Sequence, residues 1–143
     1  MKRGTALQTL SQDHHQALVV AQKLRRATVD TAPAARRAFL SFWQTDGQKH
    51  FRVEEEVLLP AFARHADAGA RDAVIRVLAE HVDLRRRAGD MEAQPTPPLH
   101  QLRQLGETLH DHVRHEERAL FPLVEQALPE PELEALATAL AAA

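Results

Sequence analysis

The sequence predicts an all-α fold, an antiparallel up-down four-helix bundle with a short C-terminal helical extension, and three observations carry that reading. The chain has only five glycines in 143 residues and is rich in Ala, Leu, Arg and Glu, the residues that lose least on entering a helix. No stretch alternates apolar and polar residues for long enough to suggest a strand. Four segments repeat their apolar residues at three- and four-residue steps, separated by short breaks that carry proline or glycine.

The first helix opens at Thr5, three residues before Gln8, a capping-box spacing, and its stripe is Leu7, Leu10, His14, Ala17, Ala21 and Leu24. A break from Asp30 to Pro33 follows. Proline is tolerated in the first turn of a helix, where its missing N–H would have had no partner. The second helix carries Phe39, Phe42, Trp43, His50, Glu54 and Val57 and is expected to fade near Gly69. The third carries Val74, Val77, His81, Leu84, Ala88 and Met91. After a Pro-rich connector from Gln94 to Pro98, in which Thr96 and Pro97 suit a helix start, the fourth carries Leu102, Leu105, Leu109, His112, Glu116 and Leu123. Residues 132–143 are Ala-rich and are expected to pack loosely or fray. A bundle of antiparallel neighbours is the simplest way to bury four stripes at once. The chain therefore reads as a single domain over 1–143, with its core at about 7–127 and a tail over 129–143.

Composition excludes several functional classes. A net charge of −2 gives no broad attraction to nucleic acid or anionic lipid. With no cysteine there is no disulfide, thiolate metal site or cysteine nucleophile. The longest apolar run, Ala17 to Ala21, cannot span a bilayer, and no secretion signal is evident; a cytoplasmic location is expected. Histidine is the anomaly, with nine in the chain.

Each stripe holds a polar side chain at its middle. An unpaired carboxylate or imidazolium in an apolar core costs several kcal/mol or loses its charge, so four histidines and two glutamates at one level need a shared partner. The sequence supplies a pattern for it twice: His50-x3-Glu54-Glu55-x2-Leu58-x-Pro60 and His112-x3-Glu116-Glu117-x2-Leu120-x-Pro122. Residues four apart on a helix share a face about 5 to 6 Å apart, so each His can meet the same ion as its Glu. The second Glu of each pair, about 100° around the helix, is expected to face water. Asp13-His14 and Glu80-His81 precede the two copies, which completes an internal duplication. Four imidazoles and two carboxylates on a central pocket suit two metal ions bridged by the carboxylates. The donor set suits iron, manganese or zinc.

These residues resemble the hemerythrin-like, or HHE cation-binding, family, whose pattern is H, H-x3-E, H, H-x3-E on the four helices of an up-down bundle; the resemblance covers about residues 7 to 127. It implies that His14, His50, His81 and His112 are terminal ligands and that Glu54 and Glu116 bridge two iron ions, cycling between Fe2+ and Fe3+ with an oxo or hydroxo bridge. Zinc or manganese would be substitutes. It implies dioxygen or another small diatomic or peroxide as ligand, and a role in oxygen, reactive-oxygen, iron or redox sensing or binding. A di-iron oxidase or peroxidase-like enzyme and a structural metal-binding bundle are the alternatives, and a protein partner or homo-oligomer would transmit any signal. The chain departs from oxygen-carrying members on the third helix, where the positions one turn from His81 are Val77 and Arg85 instead of a second histidine. That departure favours sensing or redox chemistry over reversible carriage.

Two further residues are candidates for the ligand pocket. Leu109, one turn before His112, is expected to cover it, and Arg85 either orients a bound anion or peroxide or is an ordinary surface residue. His15 competes with His14 as the first ligand. His115 reads as a solvated or supporting side chain, His65 as a helix-dipole partner, and the Arg85-Arg86-Arg87 run as a solvated face. Glu107 and His110 form an E-x-x-H of the ferritin kind, but on the face opposite His112. Pro60 and Pro122 read either as helix terminators or as kinks.

Overall fold

The computed structural model describes residues 4–65 and 67–143, the Ala68 side chain aside. Among the described residues all regular structure is helical. A 3-10 turn at Thr5–Leu7 leads into α1, Gln8–Arg25; α2 (32–63), α3 (Ala68–Ala93), α4 (99–127) and α5 (Glu130–Ala142) follow. Among the described residues no helix is long and apolar enough to cross a membrane.

Both α2 and α4 contain π turns, at Trp43–Gly47 and Glu54–Leu58 in α2 and at Glu116–Leu120 in α4. The last two share a cause. Pro60 and Pro122 have no N–H for the carbonyl four residues back, and their rings crowd it. The preceding turn widens, with Leu59 N–H donating to Glu54 C=O and Phe121 N–H to Glu116 C=O. The helices do not end at the prolines. A π turn holds one extra residue and so turns the following face by about 100°. The predicted stripes shift accordingly: Leu58 is fully buried where Val57 was expected, and Leu123 is 39% exposed while Val124 is fully buried.

Several predicted boundaries change. The Thr5 capping box does not form; Thr5 starts the 3-10 turn and no side chain caps α1. α2 ends at Ala63, so Gly69 lies in the first turn of α3. That helix is capped by Asp67, whose carboxylate accepts from Ala70 N–H at 3.0 Å. α4 begins at Leu99, after Pro98, without a side-chain cap. The C-terminal helix is not loose: Leu136 and Leu140, four residues apart, are buried beside Leu7, Leu58 and Leu120.

The core is two apolar clusters with a polar layer between them. Leu7 and Leu10 belong to one cluster and Ala17, Ala21 and Leu24 to the other, with His14 at the junction of α1. α3 crosses in the same order, from Val77 past His81 to Leu84, Ala88 and Met91. α2 and α4 cross in reverse, from Phe39 past His50 and Glu54 to Phe62, and from Leu105 past His112 and Glu116 to Val124. Arginines tie the helix ends: Arg36 donates to Met91 C=O at 2.9 and 3.1 Å, and Arg103 to Ala27 C=O at 3.0 Å.

α1 and α4 pack tightly at Gly106, where a Cβ would stand 2.8 Å from Ala21 O, Arg25 N and Leu24 Cβ. Two of those atoms are backbone and cannot swing aside. We expect Gly106→Ala to cost about 1–3 kcal/mol by forcing the helices apart. Gly89→Ala, where a Cβ meets nothing within 4 Å, should instead stabilise α3 by roughly 0.5–1 kcal/mol. Urea denaturation of both variants checks the contrast.

Candidate metal centre

His14, His50, Glu54, His81, His112 and Glu116 converge in the polar layer, each with at most 8% of its surface exposed. They form two overlapping groups, His14–His50–Glu54–Glu116 and His81–His112–Glu54–Glu116, whose donor atoms lie within 4.8 Å of one another in each group. Each carboxylate divides its oxygens between the groups. Glu54 Oε2 is 3.2 Å from His50 Nε2, while its Oε1 is 3.1 Å from His81 Nε2. Glu116 Oε1 is 2.8 Å from His14 Nε2, while its Oε2 is 3.3 Å from His112 Nε2.

The protein leaves this layer incompletely satisfied. Both oxygens of Glu54, Glu116 Oε2 and the Nε2 atoms of His81 and His112 are buried without a hydrogen-bond partner. Orphaned buried polar atoms are costly, and here they face one another as imidazole nitrogens and carboxylate oxygens, the donor chemistry of a borderline transition-metal ion. The residues fit metal.

A second ring of carboxylates stands behind the imidazoles. His81 Nδ1 donates to Glu55 at 2.6 Å, His112 Nδ1 to Glu80 at 2.7 Å and His50 Nδ1 to Asp13 at 3.1 Å. His14 Nδ1 lies 3.5 Å from Glu117, which accepts from Ser11 at 3.0 Å. An ionised carboxylate only accepts, so the bonded rings carry their proton on Nδ1 and turn Nε2 inward, as a ligating histidine must. The pattern respects the duplication: the acid before the lone His supports the next helix's His, and the second Glu of each repeat supports the lone His of the other half. Glu55 and Glu117 were expected to face water; the helices packed against them bring imidazoles to them instead.

Without an ion the layer is held by charge. Burial lowers the pKa of each imidazole, but the facing carboxylates outweigh it. His81 is raised to about 9, chiefly through Glu116 and Glu54, and His112 to about 10, chiefly through Glu116. His14 and His50 are raised as well. Burial raises Glu116, yet attraction to His112 and the neighbouring rings hold it well below its usual range.

The model of the hemerythrin HHE cation binding domain matches residues 5–124. The chain belongs to this family. No curated protein and no solved structure gives a significant match. α5 lies beyond the residues matched to the hemerythrin domain.

The remaining sequence candidates sort by position. His15 is exposed while His14 is buried. Leu109 is buried and, with His14, His50, His112, Phe42 and Val113, lines a small cavity with room for roughly one water-sized sphere, about 10 Å³ of centre volume. Arg85 turns away from the cluster: its Nη2 donates to both Glu55 oxygens at 3.1 Å and its Cζ lies 5.7 Å from the Phe51 ring centre. Glu107 bonds Arg25 on the exposed face and His110 bonds Asp111, so the E-x-x-H stays outside the hemerythrin core. Arg86 and Arg87 pair with Asp83 on the surface.

The raised imidazoles set a pH dependence for the metal-free protein. A histidine whose folded pKa exceeds its unfolded value stabilises fully below about 6.5 and loses that contribution as pH rises through the folded pKa. Melting temperature in the presence of EDTA should therefore fall between pH 6.5 and about 10, the range set by His81 and His112. Metal affinity should rise over the same range as fewer protons need displacing. A flat melting profile across it would contradict the charged arrangement.

Proposed function

We propose that the chain is a non-haem di-iron protein, one up-down four-helix domain in which His14 and His50 hold one ion, His81 and His112 hold the other, and Glu54 and Glu116 bridge them. The observation that carries this reading is the division of both carboxylates between the two histidine pairs. A single tetrahedral ion would take four donors and strand the others in an apolar core. Two ions use all six residues and give each ion two imidazoles and one oxygen from each glutamate.

Bound iron would supply a reversible electron change at each ion and coordination positions that the protein does not fill. The chain's own residues determine what reaches those positions. Leu109, Phe42 and Val113 wall the cavity beside His14 and His50, and its size supports a diatomic or peroxide-sized ligand and argues against an organic substrate. That supports a binder or sensor of oxygen, reactive oxygen species or redox state over an oxidase acting on organic molecules. Val77 and Arg85 bring no further imidazole, so the reading favours sensing and redox cycling over reversible carriage.

Metal analysis after anaerobic loading with Fe2+ tests it. We expect two irons per chain, one in a His14→Ala/His50→Ala variant that keeps the other pair and both carboxylates, and fewer than one in Glu54→Ala/Glu116→Ala, with circular dichroism reporting that each variant is helical. One iron in the unaltered protein, or two in the glutamate double variant, would overturn the bridging assignment.

A further inference from the structure

The residues behind the imidazoles are unequal on the two sides. Resting on the two-ion reading above, we infer that the ion positions are inequivalent and fill in order, His81/His112 before His14/His50, with Glu55, Glu80 and Arg85 as the positioning residues that set the order.

His81 is fixed behind its Nδ1 and across its ring face. Its Nδ1 bond to Glu55 is 2.6 Å, Glu55 is itself gripped through both oxygens by Arg85, and the ring lies flat on Phe51 at 3.9 Å between centres and 4° between planes. Phe51 also meets His112 edge-on at 5.5 Å, and the Glu80 that accepts from His112 at 2.7 Å is held by Arg76 Nε at 3.2 Å. Both rings are set in their ligating orientation, with Nδ1 committed to a carboxylate, before an ion arrives. Arg85 withdraws some negative charge from Glu55, but it fixes where that carboxylate stands, and orientation is what an incoming ion would otherwise have to impose.

The other pair is looser. His50 is held at 3.1 Å by Asp13, whose side chain is 45% exposed, and His14 Nδ1 faces Glu117 at the longer distance of 3.5 Å. Space adjoins this side too. The small cavity under Leu109 borders His112 as well as His14 and His50, but a surface pocket lined by Asp13, Lys49 and Leu140 reaches His50 and neither His81 nor His112. His14 also lies parallel to an aromatic ring, Phe121, but at 5.2 Å between centres against 3.9 Å for His81 on Phe51, so this pair is held less closely from behind and an ion bound there has more ordering to impose.

Two binding steps alone would not test this, because two cations sharing carboxylates repel and would bind stepwise at identical positions. The location of the first ion decides it. Metal-free protein labelled with 15N-histidine is titrated with Zn2+, and the imidazole nitrogens are followed by NMR. At one equivalent we expect His81 and His112 to show the bound shifts while His14 and His50 keep theirs until the second. Glu55→Ala should weaken the first step by about 10- to 100-fold, and Glu55→Gln, which keeps an acceptor for His81 Nδ1–H, should recover most of it. Asp13→Ala should weaken only the second step. A first ion on His14/His50 or spread over all four rings, or a first step weakened by Asp13→Ala, would overturn the inference. Saturation at one ion would overturn the two-ion reading separately. In that case, residence at His81/His112 would still support the order and residence at His14/His50 would refute it, while no binding at all would refute both.

Discussion

Two fully buried carboxylates, Glu54 and Glu116, are the constraint on which the rest of the molecule depends. Removing an ionised carboxylate from water is among the most expensive things a fold can do, and attraction to an opposite charge repays it only with close, well-directed partners. Each of the four main helices brings a histidine to the same level, and the two apolar clusters above and below seal the layer from solvent. The hydrophobic stripes set where the layer sits, and the layer's need for cations explains why those stripes are interrupted there.

The backbone adapts to the same demand. In each repeat the proline six residues after the buried glutamate widens the intervening turn into a π turn, which begins at the glutamate itself. The segment before it keeps α spacing, so His and Glu share a face; the segment after it is rotated, so Leu58 and Leu59, or Leu120 and Phe121, close the cluster beneath. The duplication thus repeats a backbone device as well as a set of donors.

Much of this was legible in the sequence because helical periodicity is a long-range signal. The stripes of α1 and α3, which have no π turn, match their predicted residues, and the interrupting His and Glu stood out against apolar neighbours. What failed was local. Nothing in Val57 or Leu123 says that an extra residue upstream has turned the face by one position, although L-x-P after a buried glutamate, present twice, is the signal that would have suggested it. Glu55 and Glu117 were assigned to water on ideal helix angles, which ignore the neighbouring helices that supply their partners; the doubled Glu in both repeats and the acid before His14 and His81 were the available clues. Arg85, one turn from His81, was read either as orienting an anion at the centre or as a surface residue, and its guanidinium is taken up by Glu55. The C-terminal helix was discounted for its alanines, when Leu136 and Leu140 at one-turn spacing were enough to dock it.

Anomalous X-ray diffraction at the iron edge, on crystals of anaerobically loaded protein, tests the central claim most directly, because it locates ions without assuming ligands. Two peaks per chain are expected, one bounded by His14 and His50 and the other by His81 and His112, each facing one oxygen of Glu54 and one of Glu116. A single peak, or iron bound outside this layer, would contradict the claim.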